Sequence, residues 1–197
     1  MNTRFAIVLL AALLALAEPA AAQTTPTASP SPAPSATVSS AASAVPSPVP
    51  SETPVPAVIK APPGWTQIRG PVQTGSMKTD HFWRSRKGIL VAAHLEMASA
   101  GAPLVISQIA PAFQVGLQTI AGPKGITASK AVKICNGKQD GWFYTAKIAA
   151  GTTHVIEEIT LAAGDRVYVS EYVRSASAKE DRAAKAAIMS LCAPGAP

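Results

Sequence analysis

Three residues of this chain, Tyr144, Glu157 and Glu171, have the types and spacing for acid–base chemistry. They fall in three successive runs rich in aromatic and β-branched residues, between Gly141 and Arg174. The runs break at Ala150-Gly151-Thr152 and Ala163-Gly164-Asp165, the pattern of a three-stranded meander. A three-residue loop over 163 to 165 sets Ala162 opposite Arg166, Leu161 opposite Val167, Ile159 opposite Val169, Glu157 opposite Glu171 and Val155 opposite Val173. One face is then apolar except for two opposed carboxylates. A two-residue loop instead pairs Glu158 with Glu171 and puts valines opposite polar residues, so the three-residue loop is the preferred register. A first hairpin turning on Ala150-Gly151 brings Tyr144 beside Glu157, with Trp142 and Ile159 flanking the row. Opposed carboxylates repel, and under cover at least one is held protonated by the like charge and by desolvation. Such a pair can bind a cation or serve as acid and base. The plainer account places the row at an uncovered margin of the sheet, or neutralises it with a lysine or arginine from elsewhere.

Other candidates are sparser. His81 and His94 share a face if the loop between their strands is the two-residue Arg86-Lys87, and lie on opposite faces if it has three residues. With Glu96 the best third ligand, no metal site is expected. The tip of the same hairpin, Trp83-Arg84-Ser85-Arg86-Lys87, groups three cations beside an indole. That suits a phosphate- or carboxylate-bearing polymer, the cations attracting and the ring offering a platform. Its plain alternative is a solvated hairpin end whose tryptophan packs inward. Serine nucleophile elbows, H-E-x-x-H, phosphate loops and dinucleotide fingerprints are absent from the sequence, and no cofactor is expected.

The elements that position these groups occupy the C-terminal part of the chain. Residues 1 to 22 read as a secretory signal peptide: Arg4, an apolar run from Phe5 to Ala17, and Ala20-Ala21-Ala22 before Gln23, with cleavage expected after Ala22. Residues 23 to 60 are Pro, Ser, Thr and Ala with little else, a semi-extended linker with nothing to bury. Residues 61 to 197 suit one α+β domain. The net charge of +6 survives removal of Arg4 with Glu18, and Glu52 cancels Lys60, so the excess lies on the domain. A basic balance suits an anionic envelope component as partner, and serves equally for solubility. No nucleic-acid partner and no membrane span after processing are expected. Cys135 ends a predicted strand and Cys192 ends the last predicted helix; an exported chain with only these two cysteines is expected to join them.

Within the domain, a strand is expected at Thr66 to Arg69 and a hairpin from Asp80 to Arg84 and Ile89 to Met97, with Ile89, Val91, Ala93, Leu95 and Met97 on the core side. Ile106, Ile109, Ala110, Phe113, Leu117 and Ile120 follow helical spacing up to Gly122-Pro123, with Pro111 either kinking that helix or standing in its first turn. Ile126 to Cys135 alternates as a strand. Ser177-Ala178-Lys179-Glu180 reads as a capping box for a closing helix to about Leu191, with Ala184, Ala187, Ile188 and Leu191 inward and Lys179, Asp181, Arg182 and Lys185 to water. The fold class expected is an antiparallel sheet of six or seven strands flanked by two helices, in the order βββα ββββα.

This order, with Pro62-Pro63-Gly64-Trp65 at the entrance and Ile188-Met189-Ser190-Leu191 closing an Ala-rich helix, resembles the PsbP-like fold group. The group includes photosystem extrinsic subunits and small exported bacterial proteins, built as an antiparallel sheet between helices. The resemblance covers Ala61 to Leu191 and carries no site motif. It implies a non-catalytic module that binds or stabilises a partner; the signal peptide makes the expected location periplasmic or extracellular, and the expected partner is an anionic envelope component or another exported protein. The rival readings are a small exported enzyme using Glu157 and Glu171 with Tyr144, and a structural envelope protein touching anionic polymer through Trp83 to Lys87.

Overall fold

The computed structural model describes residues 56–69, 72–74, 77–96 and 104–195. The stretch expected to be a signal peptide and nearly all of the expected linker lie outside the described residues. Among these residues eight strands and two helices follow in the order β1 (Thr66–Arg69), β2 (Val72–Thr74), β3 (Met77–Ser85), β4 (Gly88–Glu96), α1 (Ile106–Ala121), β5 (Ile126–Ile134), β6 (Gln139–Ala150), β7 (Thr152–Ala163), β8 (Arg166–Ser175) and α2 (Arg182–Met189). All are antiparallel in one sheet, ordered β1-β3-β4-β8-β7-β6-β5, with the short β2 also paired to β3. The α+β class, with its sheet flanked by two helices, is as the sequence predicts. One strand more than expected is present, the three-residue β2.

The helices cover opposite faces of the sheet. Ala110, Phe113 and Leu117 of α1 pack with Phe82, Val91, Tyr144, Ala146 and Val169. Ala184, Ala187 and Ile188 of α2 pack with Leu90, Ile159, Leu161, Tyr168 and Tyr172 on the other side. Central strand β4 is therefore buried on both faces from Gly88 to Leu95, where the sequence reading gave it one core side. Pro111 stands inside α1, which starts before it at Ile106 and runs on through it. The closing helix begins later than the capping box implies. Its N-cap is Asp181, whose Oδ1 accepts from the Ala183 N–H at 3.0 Å, because an aspartate here satisfies a free N–H of the first turn directly. The inward stripe Ala184, Ala187, Ile188 and Leu191 is buried as expected, but Asp181 is buried as well and does not face water.

Two hairpin registers differ from those preferred on sequence, and both differ by one residue. Ala163 pairs with Arg166 across a two-residue turn, so Glu158, not Glu157, lies opposite Glu171. Gly164 occupies the first central position of that turn at φ 63°, the conformation for which glycine is chosen in a tight hairpin turn matched to strand twist. At the other end Ala150 pairs with Thr152 around Gly151, which puts Tyr144 opposite Glu158. Strand β7 is thus displaced by one residue against both neighbours, and a one-residue slip exchanges the faces of every side chain. A register that makes one face alone apolar has no advantage here, because a helix on each face buries both.

Cys135 and Cys192 form the disulfide expected, across a sequence separation of 57 residues. Cys192 also exchanges backbone hydrogen bonds with Val58, at 3.1 and 2.8 Å, so the chain just before the domain and the chain just after α2 are held together. Ala57, read as linker on composition, is buried, and its N–H donates to Asp80 Oδ2 at 2.9 Å. No helix among the described residues is long and apolar enough to cross a membrane.

Candidate functional site

The register of β7 brings Tyr144, Glu158 and Glu171 into one cross-strand row beneath α1, extended by Val91 beyond Glu171 and by Ser129 beyond Tyr144. Glu158 is 0% and Glu171 1% exposed. The row predicted as Tyr144, Glu157, Glu171 therefore exists with Glu158 in the middle place, and Glu157 points to the opposite face. Thr160 Oγ1 donates to Glu158 Oε1 at 3.0 Å, while the Tyr144 hydroxyl donates to the Ala110 carbonyl of α1 at 2.7 Å. Glu158 Oε2 and both oxygens of Glu171 have no hydrogen-bond partner. Burial pushes the Glu158 carboxyl up to about 7 against the opposing pull of the Thr160 hydroxyl. Burial, and after it the charge of Glu158, holds Glu171 well above the usual carboxylate range. Tyr144 is raised by burial and then by Glu158. At neutral pH the pair retains at least one proton and is closed to any substrate by the helix above it.

Glu157 lies on the α2 side, opposite Tyr172, where its Oε1 accepts from Lys185 Nζ at 3.3 Å. Lys185 also reaches Glu180 Oε2 at 3.0 Å. Burial raises the Glu157 carboxyl, and the Lys185 ammonium works in the other direction. The expectation that Lys185 faces water is corrected to this extent: its stem covers the sheet and its head is shared by two carboxylates.

His81 and His94 do lie on one face, since the β3–β4 hairpin closes on Arg86-Lys87 with Ser85 opposite Gly88. Gly88 is required there: a Cβ would meet the Val173 carbonyl oxygen and come within 2.9 Å of the Tyr172 ring. The two histidines have different partners. His81 stacks on Trp83, with centroids 5.0 Å apart, and buried His94 holds Asp80 through Nδ1, at 2.9 and 2.8 Å from its two carboxylate oxygens. A bulge between Thr79 and His81 takes Asp80 out of the regular pairing, so sequence spacing gave no sign of this ion-capable pair. Among the described residues no group of three His, Cys, Asp or Glu side chains is placed to hold a metal.

At the hairpin tip, Trp83 is 4% exposed and belongs to the α2-side core. It faces inward because position 83 alternates with the solvent-directed Arg84; of the two readings of this hairpin tip the inward-packing tryptophan holds, and the ring offers no platform to a polymer. Lys87 Nζ is tied to Asp181 at 3.2 Å, the same carboxylate oxygen that accepts from Trp65 Nε1. Arg84 and Arg86 are exposed, make no ion pair among the described residues, and border a small cleft with Ser175 and Ala178.

A second concavity, about 380 Å³, lies between β5, β6 and α2 and was not singled out in the sequence. Val132, Phe143 and Met189 give it an apolar floor, and Lys130, Arg182 and Lys185 supply its cations. The ammonium groups of Lys130 and Lys185 stand 6.0 and 5.9 Å from the centre of the Phe143 ring. Only the tertiary structure joins 130, 143 and 182 to 189.

No family model matches the chain, and no curated protein matches it. A crystal structure from Bacteroides thetaiotaomicron VPI-5482 is similar over 70% of this chain and 44% of that one, at 12% identity and a TM-score of 0.44. The chain thus spans under half the length of that protein.

Proposed function

We propose that this protein is an exported, non-catalytic binding module whose partner is anionic. The observation that carries the reading is a pair of cationic clefts: the paired carboxylates are sealed beneath α1, whereas two of the clefts open to solvent are bordered by Arg84 and Arg86 in one and by Lys130, Arg182 and Lys185 in the other; a third, of about 500 Å³, is lined by Leu104, Trp142 and Asp140 and has no cationic side chain in its lining. A buried acid pair supports a folding role over an acid–base mechanism, which needs contact with the reacting atoms. The net charge of +6 favours an anionic partner in the same way. The disulfide between Cys135 and Cys192 suits an oxidising compartment, periplasmic or extracellular. The resemblance to the PsbP-like group implies the same class of activity, and cleavage after Ala22 would release the module. Intact mass of the exported protein tests that cleavage.

The function is tested by titrating the oxidised domain with polyglutamate and with polylysine, at low and high salt. Polyglutamate is expected to bind, with affinity falling as salt rises, and polylysine is not. Equal behaviour of the two polymers, or no interaction with polyglutamate at low salt, overturns the reading.

A further inference from the structure

The groove between β5, β6 and α2 combines two features that a surface made only for solubility does not need together. Its floor is apolar, built from Val132 of β5, Phe143 of β6 and Met189 of α2. Its cations come from two separate elements, Lys130 from β5 and Arg182 with Lys185 from α2, so that they converge on one space from opposite walls. Phe143 lies beneath two of them, and a ring in that position both attracts the ammonium groups and keeps apolar surface exposed between them.

The three cations are not equivalent. Lys185 is held in place by Glu157 and Glu180 at 3.3 and 3.0 Å, which fixes its ammonium and leaves little of its charge for a ligand. Lys130 and Arg182 are exposed and make no ion pair among the described residues. With Lys185 committed to its two carboxylates, Lys130 and Arg182 are the cations left to face a ligand over the apolar floor. A neutral apolar molecule would leave these cations unused, and a wholly polar anion would leave the apolar floor uncovered. A volume of about 380 Å³ lies within the range of small-molecule sites.

We propose that this groove is a binding site for an amphiphilic anion, a carboxylate on an apolar body, with Lys130 and Arg182 engaging the head and Phe143, Val132 and Met189 receiving the body. The proposal rests on the reading of the protein as a binder of anions and names a site and a ligand class for it. Arg182 is suited to a bidentate grip on a carboxylate, and Lys130 provides a mobile point charge from the opposite wall.

Isothermal titration of the oxidised domain with decanoate, below its micelle concentration and at low salt, tests this. Saturable binding is expected for decanoate and none for decyltrimethylammonium, which has the same chain and the opposite charge. Lys130→Gln with Arg182→Gln, both at exposed positions, should weaken decanoate binding by about tenfold or more while leaving the circular dichroism unchanged. Arg84→Gln with Arg86→Gln, on the separate hairpin cleft, should not weaken it. Undiminished binding by the Lys130/Arg182 variant, or equal binding of the two surfactants, overturns the site. Failure of the wild type to bind decanoate while it still binds polyglutamate overturns this inference alone; failure with both ligands removes the functional reading as well.

Discussion

Glu158 on β7 and Glu171 on β8 are direct cross-strand partners, both buried beneath α1, and among the described residues neither meets a cation. Two carboxyl groups in this setting are tolerated only if protons stay on them. The raised folded value of Glu158, about 7, sets the direction of the effect on stability. Below the unfolded value, near 4.3, both states hold the proton and there is no cost. As pH rises from there to the folded value, the native state retains a proton that the unfolded state has released, and stability falls. For Glu158 alone the full fall is on the order of 3 kcal/mol, reached by about pH 7.

Glu158→Gln should therefore flatten the decline in stability between about pH 4 and pH 7 and raise the melting temperature most at the alkaline end. Glutamine keeps the volume and can still accept from the Thr160 hydroxyl. Denaturation curves across that range decide the matter. A variant that is less stable than wild type at pH 8, and no less stable at pH 5, would show that the ionised carboxylate is needed.

Much of this fold was legible because its signals are local. Helical spacing from Ile106 to Ile120, alternation from Ile126, and turn residues at Gly151 and Gly164 each specify an element without knowledge of the rest. Tyr144 and Glu171 were correctly set in one row, since each lies one strand away from β7 and the two register errors compensate across it. The identity of the middle residue was not legible, because Ile159 and Leu161 on one face and Ile156 and Glu158 on the other are both buried. The meeting of Asp80 with His94 at a bulge, and that of β5 with α2 in a groove, arise from geometry that no spacing in the sequence encodes.

The disulfide makes a separate prediction. Replacing Cys135 and Cys192 by serine should lower stability by about 4 kcal/mol on chain entropy alone. Hydrogen exchange should rise first at Val58 and Cys192, which share backbone bonds across the bridge, and then in α2. Protection unchanged at both places in the double serine variant would mean that packing of Ile188 and Leu191 holds the C-terminus unaided.

Trp83 distinguishes a core role from a ligand platform. Trp83→Ala should cost about 3–5 kcal/mol of stability, as expected for truncating a large buried side chain. Arg84→Ala with Arg86→Ala should leave stability within about 0.5 kcal/mol and weaken polyglutamate binding. Lys87→Ala should affect that binding less than either arginine, because Lys87 is already committed to Asp181. Chemical denaturation and polymer titration of the same variants give both readouts. A stable Trp83→Ala protein with lost polymer binding would return the indole to the surface.

Lys185 and Glu157 form the remaining charged contact whose removal has a definite sign. Glu157 is nearly buried and its Oε2 has no partner, so Lys185 compensates a carboxylate that solvent reaches poorly. Lys185→Met leaves that carboxylate with only the charge of Arg174 to offset its burial and should destabilise the fold near neutral pH; because Lys185 itself is 38% exposed, the loss should be about 1–2 kcal/mol, less than for a fully buried pair. Adding Glu157→Gln removes the stranded charge, so the double variant should be more stable than Lys185→Met alone. Lys179→Met, in the connection that precedes α2 and with no ion pair among the described residues, should change little. A double-mutant cycle measured by urea denaturation checks the coupling. Strict additivity of the two substitutions would mean either that Glu157 is already protonated in the native state at that pH or that the contact contributes nothing. Repeating the cycle one pH unit higher then separates a protonated carboxyl, for which coupling appears, from a contact that contributes nothing.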